Sequence, residues 1–317
     1  ALKVSEMQFD EKTGQGATLN SVRIFSEHWR GSYYDLVPKF YTNFKHLLLC
    51  GDVEASMHEA IAHVTMSNLA YSTLQEKAVK CREFIQVMID YSNFAFREVM
   101  CIELQSTLNL MGDSQDPLVL TGDVFDEASL SGRLAGQLLY IAQKTFLSVH
   151  LGNWDMAMEM TVRYRRLKQH VSAHFLHCHN LAFAALACHE QYRRTKRRKH
   201  MAWSRAYEQD LVKLSNQGAV TAAALRLLLK AESLTYTSDT KACKEAYDAA
   251  VAQFRDLQLW SYEAMTKDRM SRLLFRLGDY AIAEECMVSA RDLYSGWGAT
   301  AKVKQIEEDL GCMFSRS

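Results

Sequence analysis

Leu277-Gly278-Asp279-Tyr280-Ala281-Ile282-Ala283 sets an aromatic two residues after a glycine and an alanine five residues after it. Leu151-Gly152-Asn153-Trp154-Asp155-Met156-Ala157 repeats all three features. Cys50-Gly51-Asp52-Val53-Glu54-Ala55-Ser56 keeps the glycine and the small residue, with valine at the aromatic place. Ser238-Asp239-Thr240 with Cys243 is a weaker copy, followed by Tyr247 and Ala250. Each part has a physical task. Glycine ends one helix in a left-handed cap. The Asp or Asn beside it caps the next helix by accepting its free N–H groups. The aromatic packs back over the turn, and the small residue one turn later lets the two helices approach.

A glycine, an aromatic and an alanine at these spacings resemble the turn of a tetratricopeptide repeat. Gly51, Gly152, Trp154, Ala157, Gly278, Tyr280 and Ala283 are the residues that carry the likeness. The period is longer than that family's usual ~34 residues. It runs 40 residues from 238 to 278 and 86 from 152 to 238, or two units of 43, which puts a degenerate unit near Thr195. The expected fold is an all-α solenoid of about six hairpins wound into a right-handed superhelix.

The rest of the chain agrees with helices. Only 2 prolines and 14 glycines occur in 317 residues, too few for the turns of a β-rich fold. Apolar residues recur at helical spacing from about residue 18 onward. Phe25 and Trp29 share one face of a first helix. Further helices read over 36–50, 53–69, 73–91, 93–111, 127–150, 153–169, 172–191, 197–216, 219–236, 239–257, 260–277, 280–295 and 299–311. Residues 1–17, with Gly14 and Gly16, read as a flexible or extended arm ahead of one solenoid over 18–317. The irregular stretch at 112–126, with Pro117 and Gly122, reads as an ordered surface connection. Its acids do not follow the spacing of an EF-hand loop.

Composition bounds the function. Lys and Arg number 37 and so do Asp and Glu, which argues against a nucleic-acid binder. No run reaches 18 apolar residues, so no membrane span is expected. The eight cysteines are scattered without a Cys-x-x-Cys pair and read as reduced, mostly buried thiols of an intracellular, reducing compartment, the cytoplasm first. The chain begins at Ala1 without Met, which fits a processed, trimmed or partial chain.

Tyr294-Ser-Gly-Trp297-Gly298-Ala299-Thr-Ala301-Lys302-Val303-Lys-Gln-Ile306-Glu307 resembles the end of the helical-repeat region in multi-domain signalling kinases that carry a STAND-type AAA ATPase. Leu108-Asn109-Leu110-Met111-Gly112, Pro117 and Leu120-Thr121-Gly122-Asp123-Val124-Phe125-Asp126-Glu127 are similar to that family's middle segment. Trp203, Lys230-Ala231-Glu232 and Phe275-Arg-Leu277-Gly278 stand in the familiar order, so the likeness spans roughly 30–310. The family's catalytic modules have no counterpart here. The chain has no Gly-x-x-x-x-Gly-Lys-[Ser/Thr] loop, no His-Arg-Asp loop and no Asp-Phe-Gly. The resemblance implies an arm that contacts partners or neighbouring domains, not an enzyme.

Two side-chain clusters invite chemistry. His170, His174 and His177 would share a face of a continuous helix, with Cys178 at its edge and His179, Cys188 and His189 nearby, which are zinc-ligand types at usable spacing. Ser172 looks like a helix start, and a break there would take His170 off that face. Histidines in repeat helices serve packing or the surface more often, and no resident metal or cofactor is expected. Arg193, Arg194, Lys196, Arg197, Arg198 and Lys199, between Tyr192 and Trp203, form a basic run. It reads as a surface for an anionic partner or a localisation signal, or as a solvated helix end. The leading expectation is a non-catalytic protein–protein interaction scaffold or assembly subunit within a larger complex. The alternatives are a regulatory arm of a larger signalling kinase or ATPase, and a metal- or cofactor-binding helical protein using the 170–189 cluster.

Overall fold

The computed structural model describes residues 26–70, 72–170, 176–237 and 239–314. A 3₁₀ turn at Glu27–Trp29 leads into thirteen α-helices among these residues. They are α1 Tyr33–Leu49, α2 Val53–Ser67, α3 Leu74–Asp90, α4 Phe94–Met111, α5 Leu134–His150, α6 Trp154–Leu167, α7 Leu176–Thr195, α8 Arg198–Asn216, α9 Val220–Leu234, α10 Thr240–Asp256, α11 Trp260–Leu277, α12 Tyr280–Trp297 and α13 Thr300–Phe314. Successive pairs pack as six antiparallel hairpins, and α13 ends the series. The chain is an all-α helical-repeat solenoid.

Three expectations change. Trp29 stands in the 3₁₀ turn rather than in a first α-helix, and Phe25 lies outside the described residues. Glu127–Ser129 is a separate 3₁₀ turn, so the helix read from 127 begins at Leu134. The helix read over 172–191 is described from Leu176 and runs on to Thr195. The arm at 1–17 lies outside the described residues.

The helices sort into two kinds by burial. The outer ones bury a narrow stripe at helical spacing. In α10 it is Cys243, Ala246, Tyr247, Ala250 and Phe254, and in α12 it is Ala283, Met287, Ala290, Tyr294 and Trp297. The inner ones are buried over most of their surface. His177 through His189 of α7 are all buried, as are Ile102 through Leu110 of α4. In the first two hairpins the inner helix is the second, α2 and then α4; from the third onward it is the first, α5, α7, α9 and α11. The long connection from Gly112 to Arg133 sits where the order reverses. It is pinned by the buried Leu120 and Phe125 and by Lys144, whose ammonium donates to the Leu118 carbonyl and the Glu127 carboxylate. α13 then packs back on α4, joining the last turn to the second hairpin.

An extended open concave face is therefore not what these helices leave. α7 is the hub of a filled interior. Its His179 lies 2.9 Å from the Tyr33 hydroxyl of α1 and 2.6 Å from that of Tyr262 in α11. The same α11 places Tyr262 flat against Phe183, with ring centroids 5.6 Å apart.

The turns share one geometry. The N–H of Asp52, Asn93, Asn153, Leu259, Asp279 and Ala299 each reaches the carbonyl five residues earlier at 2.8–3.0 Å. That bond belongs to the Schellman cap, whose preceding residue is left-handed. Gly51, Gly152 and Gly278 fill that place with φ +81°, +71° and +85°. Ser92 and Gln258 do so without being glycine, at φ 54° and 55°; Lys196 is left-handed too, at φ 54°, but there its own N–H reaches the Tyr192 carbonyl at 2.9 Å. A side chain in that region costs about 1–2 kcal/mol. Gln258→Gly is expected to raise stability by about 0.5–1 kcal/mol, the relief exceeding the entropy glycine adds to the unfolded chain. Gly278→Val meets no atom within 4 Å of its Cβ and should lose stability through backbone strain alone. Urea midpoints of the two variants moving in the same direction would refute this account of the turns.

Candidate functional site

A cleft of about 270 Å³ remains between the α5–α6 turn, α7, α9, α10, α11 and α13. The turn sequence 151–154 forms one wall. Gly152 brings the chain round, Asn153 caps α6 by accepting from the Met156 N–H at 3.0 Å, and Trp154 faces inward. The guanidinium of Arg269 lies over the Trp154 ring, its carbon 4.7 Å from the centroid. Ala157, one turn later, is fully buried and lets α6 approach.

The floor is a buried ion network. Glu232 of α9 accepts from Arg193 of α7 and from both Nε and an Nη of Arg269 of α11. Tyr247 adds its hydroxyl at 2.7 Å. Glu190 accepts from Arg193 and, at 3.1 Å, from Arg269. Burial by itself would push the Glu232 carboxyl up, but Arg269 and Arg193 hold it well below the usual carboxylate range. A second group joins it along α11. Asp268 receives Lys302 of α13 at 2.8 Å and its neighbour Arg272 at 2.8 Å, and Arg272 also reaches Asp309 at 2.6 Å. Asp268 is likewise pushed up by burial and brought down by Lys302 and Arg272 to a net lowering. Lys302 keeps its place by donating to Gln305, which donates in turn to the Leu151 carbonyl at 2.8 Å.

The basic run divides. Arg193 turns inward to Glu232, and Arg194 lines the cleft mouth, 3.5 Å from Asp155. Lys196 is left-handed, Arg197 stands before α8 without a side-chain cap bond, and Arg198 and Lys199 open α8 on the solvent side. Lys196 and Lys199 lie over the rings of Tyr192 and Trp203 at 5.9 and 6.0 Å. The run is two surfaces, because adjacent residues on a helix point about 100° apart and the helix stops at Thr195.

The histidine cluster also divides. His170 ends a 3₁₀ turn after α6, on a different element from His177, and His174 and Ser172 lie outside the described residues. His177 lies 2.9 Å from the Tyr164 hydroxyl. His189 lies 3.2 Å from that of Tyr236 and 3.0 Å from a Glu208 oxygen. Cys178 is buried, which pushes its thiol up to about 12. Among the described residues, no three His, Cys, Asp or Glu side chains are placed to hold a metal ion. A His–Tyr pair recurs inside the solenoid, His150 with Tyr294 at 2.9 Å being another.

Glu232 entered only through the Lys230-Ala231-Glu232 likeness, with no role attached, and Asp268, Arg269 and Arg272 were not singled out by any motif. Their signal is phase: 265, 268–269, 272 and 276 lie on one face of α11, where charges interrupt an otherwise apolar stripe. At the other turns, Ala283 is fully buried and its carbonyl accepts from Ser271 at 2.6 Å. Tyr280 packs edge-on to Phe275 at 5.2 Å yet stays 53% exposed. At the weaker copy Ser238 lies outside the described residues, but Asp239 caps α10 by accepting from the Ala242 N–H at 2.9 Å, and Cys243, Tyr247 and Ala250 are buried.

Among the described residues, no helix is long and apolar enough to cross a membrane. Compared with known proteins, the chain matches no family model, no curated protein and no solved structure.

Proposed function

We propose that the chain is a non-catalytic protein–protein interaction scaffold, a rigid helical-repeat body that holds partners within a larger assembly. One observation carries this reading. Among the described residues, seven of the eleven large exposed apolar side chains stand at three hairpin turns: Leu49 at the first, Ile89, Tyr91 and Phe94 at the second, and Leu277, Tyr280 and Ile282 at the sixth. A turn that faced only water would have no use for Leu49 at 88% exposure or Phe94 at 63%. Grouped exposed apolar side chains mark contact surfaces, and aromatics dominate their energetics.

The test is an affinity capture from native extract with wild type, Phe94→Ser and Tyr280→Ser, each first shown to melt like wild type. At least one stoichiometric partner should fall by about fivefold or more with one of the variants, as for loss of an aromatic anchor. Retention of every partner in equal amount by both variants would overturn this reading. A second reading, a regulatory arm of a larger signalling kinase or ATPase, is favoured by the Tyr294–Glu307 ending and its resemblance to that family. The intact mass of the native protein separates them: one near 36.2 kDa supports a stand-alone scaffold. A far larger mass with kinase or ATPase peptides supports the arm.

A further inference from the structure

We propose that the cleft between α7, α11 and α13 is a binding site for a phosphomonoester dianion, seated at its mouth by Arg194, Arg272 and Arg276. This site does not depend on the apolar turns and stands or falls separately from the scaffold reading.

Charge carries the argument first. Six cations line the cleft against four carboxylates, an excess of two positive charges in a molecule whose formal charge is zero. A phosphomonoester carries about −1.5 to −2 at pH 7, which matches that excess. The inner cations Arg193, Arg269 and Lys302 are already held by Glu232 and Asp268, and Arg272, nearer the mouth, is shared between Asp268 and Asp309. The excess therefore sits at the rim. Arg276 is exposed and has no carboxylate within ion-pair distance among the described residues. Arg194 has only the 3.5 Å contact with Asp155, whose side chain is 81% exposed.

Geometry supplies the second step. Arg272 and Arg276 stand one turn apart on α11 and share its face, while Arg194 lines the same cleft from a second helix, α7. Guanidinium forks approaching from two helices suit the several acceptor oxygens of a tetrahedral phosphoryl group, and each fork can bind two of them. Asp309 is the group that competes. It holds Arg272 at 2.6 Å from α13, and a ligand must share or displace that contact.

The one carboxylate and the two arginine positions predict opposite signs, which separates a site from general surface attraction. Calorimetric titrations of the intact protein would use O-phospho-L-serine, a short phosphoserine peptide, inorganic phosphate and, as the non-phosphate control, glutamate. Saturable binding of at least one phosphate probe is expected. Arg276→Ala and Arg194→Ala should each weaken it by about tenfold, the worth of one charge-assisted hydrogen bond. Asp309→Asn should strengthen it severalfold by freeing one Nη of Arg272, whose Nε stays on Asp268. All three residues are partly or well exposed, so the variants are expected to melt like wild type. A phosphopeptide that binds tighter than inorganic phosphate and free phosphoserine names a modified protein as the source. The reverse order names a small phosphorylated metabolite. No saturable binding by any phosphate probe, glutamate binding as well as they do, or indifference to all three variants would each overturn the proposal.

Discussion

Glu232→Gln is expected to lower the stability of the solenoid by about 3–5 kcal/mol, the usual cost of leaving a buried charge without its partner. The carboxylate is 0% exposed and is the common acceptor of Arg193, Arg269 and Tyr247, on three different helices. Glutamine has nearly the same volume, so no cavity contributes. It offers one acceptor oxygen in place of two and turns an N–H₂ donor toward guanidinium groups that are donors only. Arg269, stacked on Trp154 and mostly buried, cannot swing to water or give up its proton. Glu190→Gln, at the edge of the same network, should cost far less, since it supplies one oxygen to arginines that Glu232 already neutralises. Urea unfolding at pH 7 measures both. Equal losses for the two variants would show that water screens the cluster and that its hierarchy is wrong. A triple replacement of Arg193, Glu232 and Arg269 by apolar residues of similar volume should restore much of the loss, because the desolvation cost of the whole group disappears with it. In that case the network serves to fix how α7, α9 and α11 meet.

How far this was legible from sequence follows from the range over which each interaction acts. The turns at Gly51, Gly152 and Gly278 are local, and a left-handed cap with Asp or Asn after it is written in four consecutive residues. Even the degenerate unit expected near Thr195 has a counterpart, Lys196 standing where a glycine would suit better. The inner helices were harder. In α7 the polar residues His177, His179 and His189 read as potential ligands, because the tyrosines that engage His179 lie 146 and 83 residues away. Arg193 and Arg194 read as one patch, although helical phase sends the first into the ion network and the second to the mouth. The reversal of inner and outer helices after α4 was not read at all. Both kinds of helix are apolar enough to pass as amphipathic, and only the 112–133 connection hints that two inner helices follow each other.

Those buried histidines set the second large effect: stability should fall by about 6 kcal/mol between pH 7.5 and pH 5, well before carboxylates titrate. Burial pulls His150 and His179 down to about 3 and His177 to about 4. Nearby cations add to this, Lys302 for His150 and Lys168 for His177, while Asp268 and Asp210 oppose it. All three therefore remain neutral in the folded chain at pH 5, when the unfolded chain, at about 6.5, has taken up nearly one proton on each. A folded value below the unfolded one means that the unfolded state binds more protons in this window, so acid favours unfolding. Each histidine contributes about 2 kcal/mol of that loss at pH 5, from the 1.5 units between 6.5 and the medium. The loss for each stops growing only as pH reaches its folded value. Below about pH 4.5 the lowered carboxylates, Glu232, Asp268, Glu208 and Asp210, extend the decline, since their stabilisation is present above the unfolded value and is lost as pH falls through the folded one. Urea midpoints at pH 7.5, 6, 5 and 4 trace the curve. His179→Gln keeps a donor and an acceptor for Tyr33 and Tyr262 but cannot titrate, so the slope between pH 6 and 5 should drop by about 1.4 kcal/mol per pH unit, one proton's worth. An unchanged slope in that variant, or a wild-type midpoint constant from pH 7.5 to 5, would mean that the interior admits charged imidazole and that the His–Tyr pairs are wet.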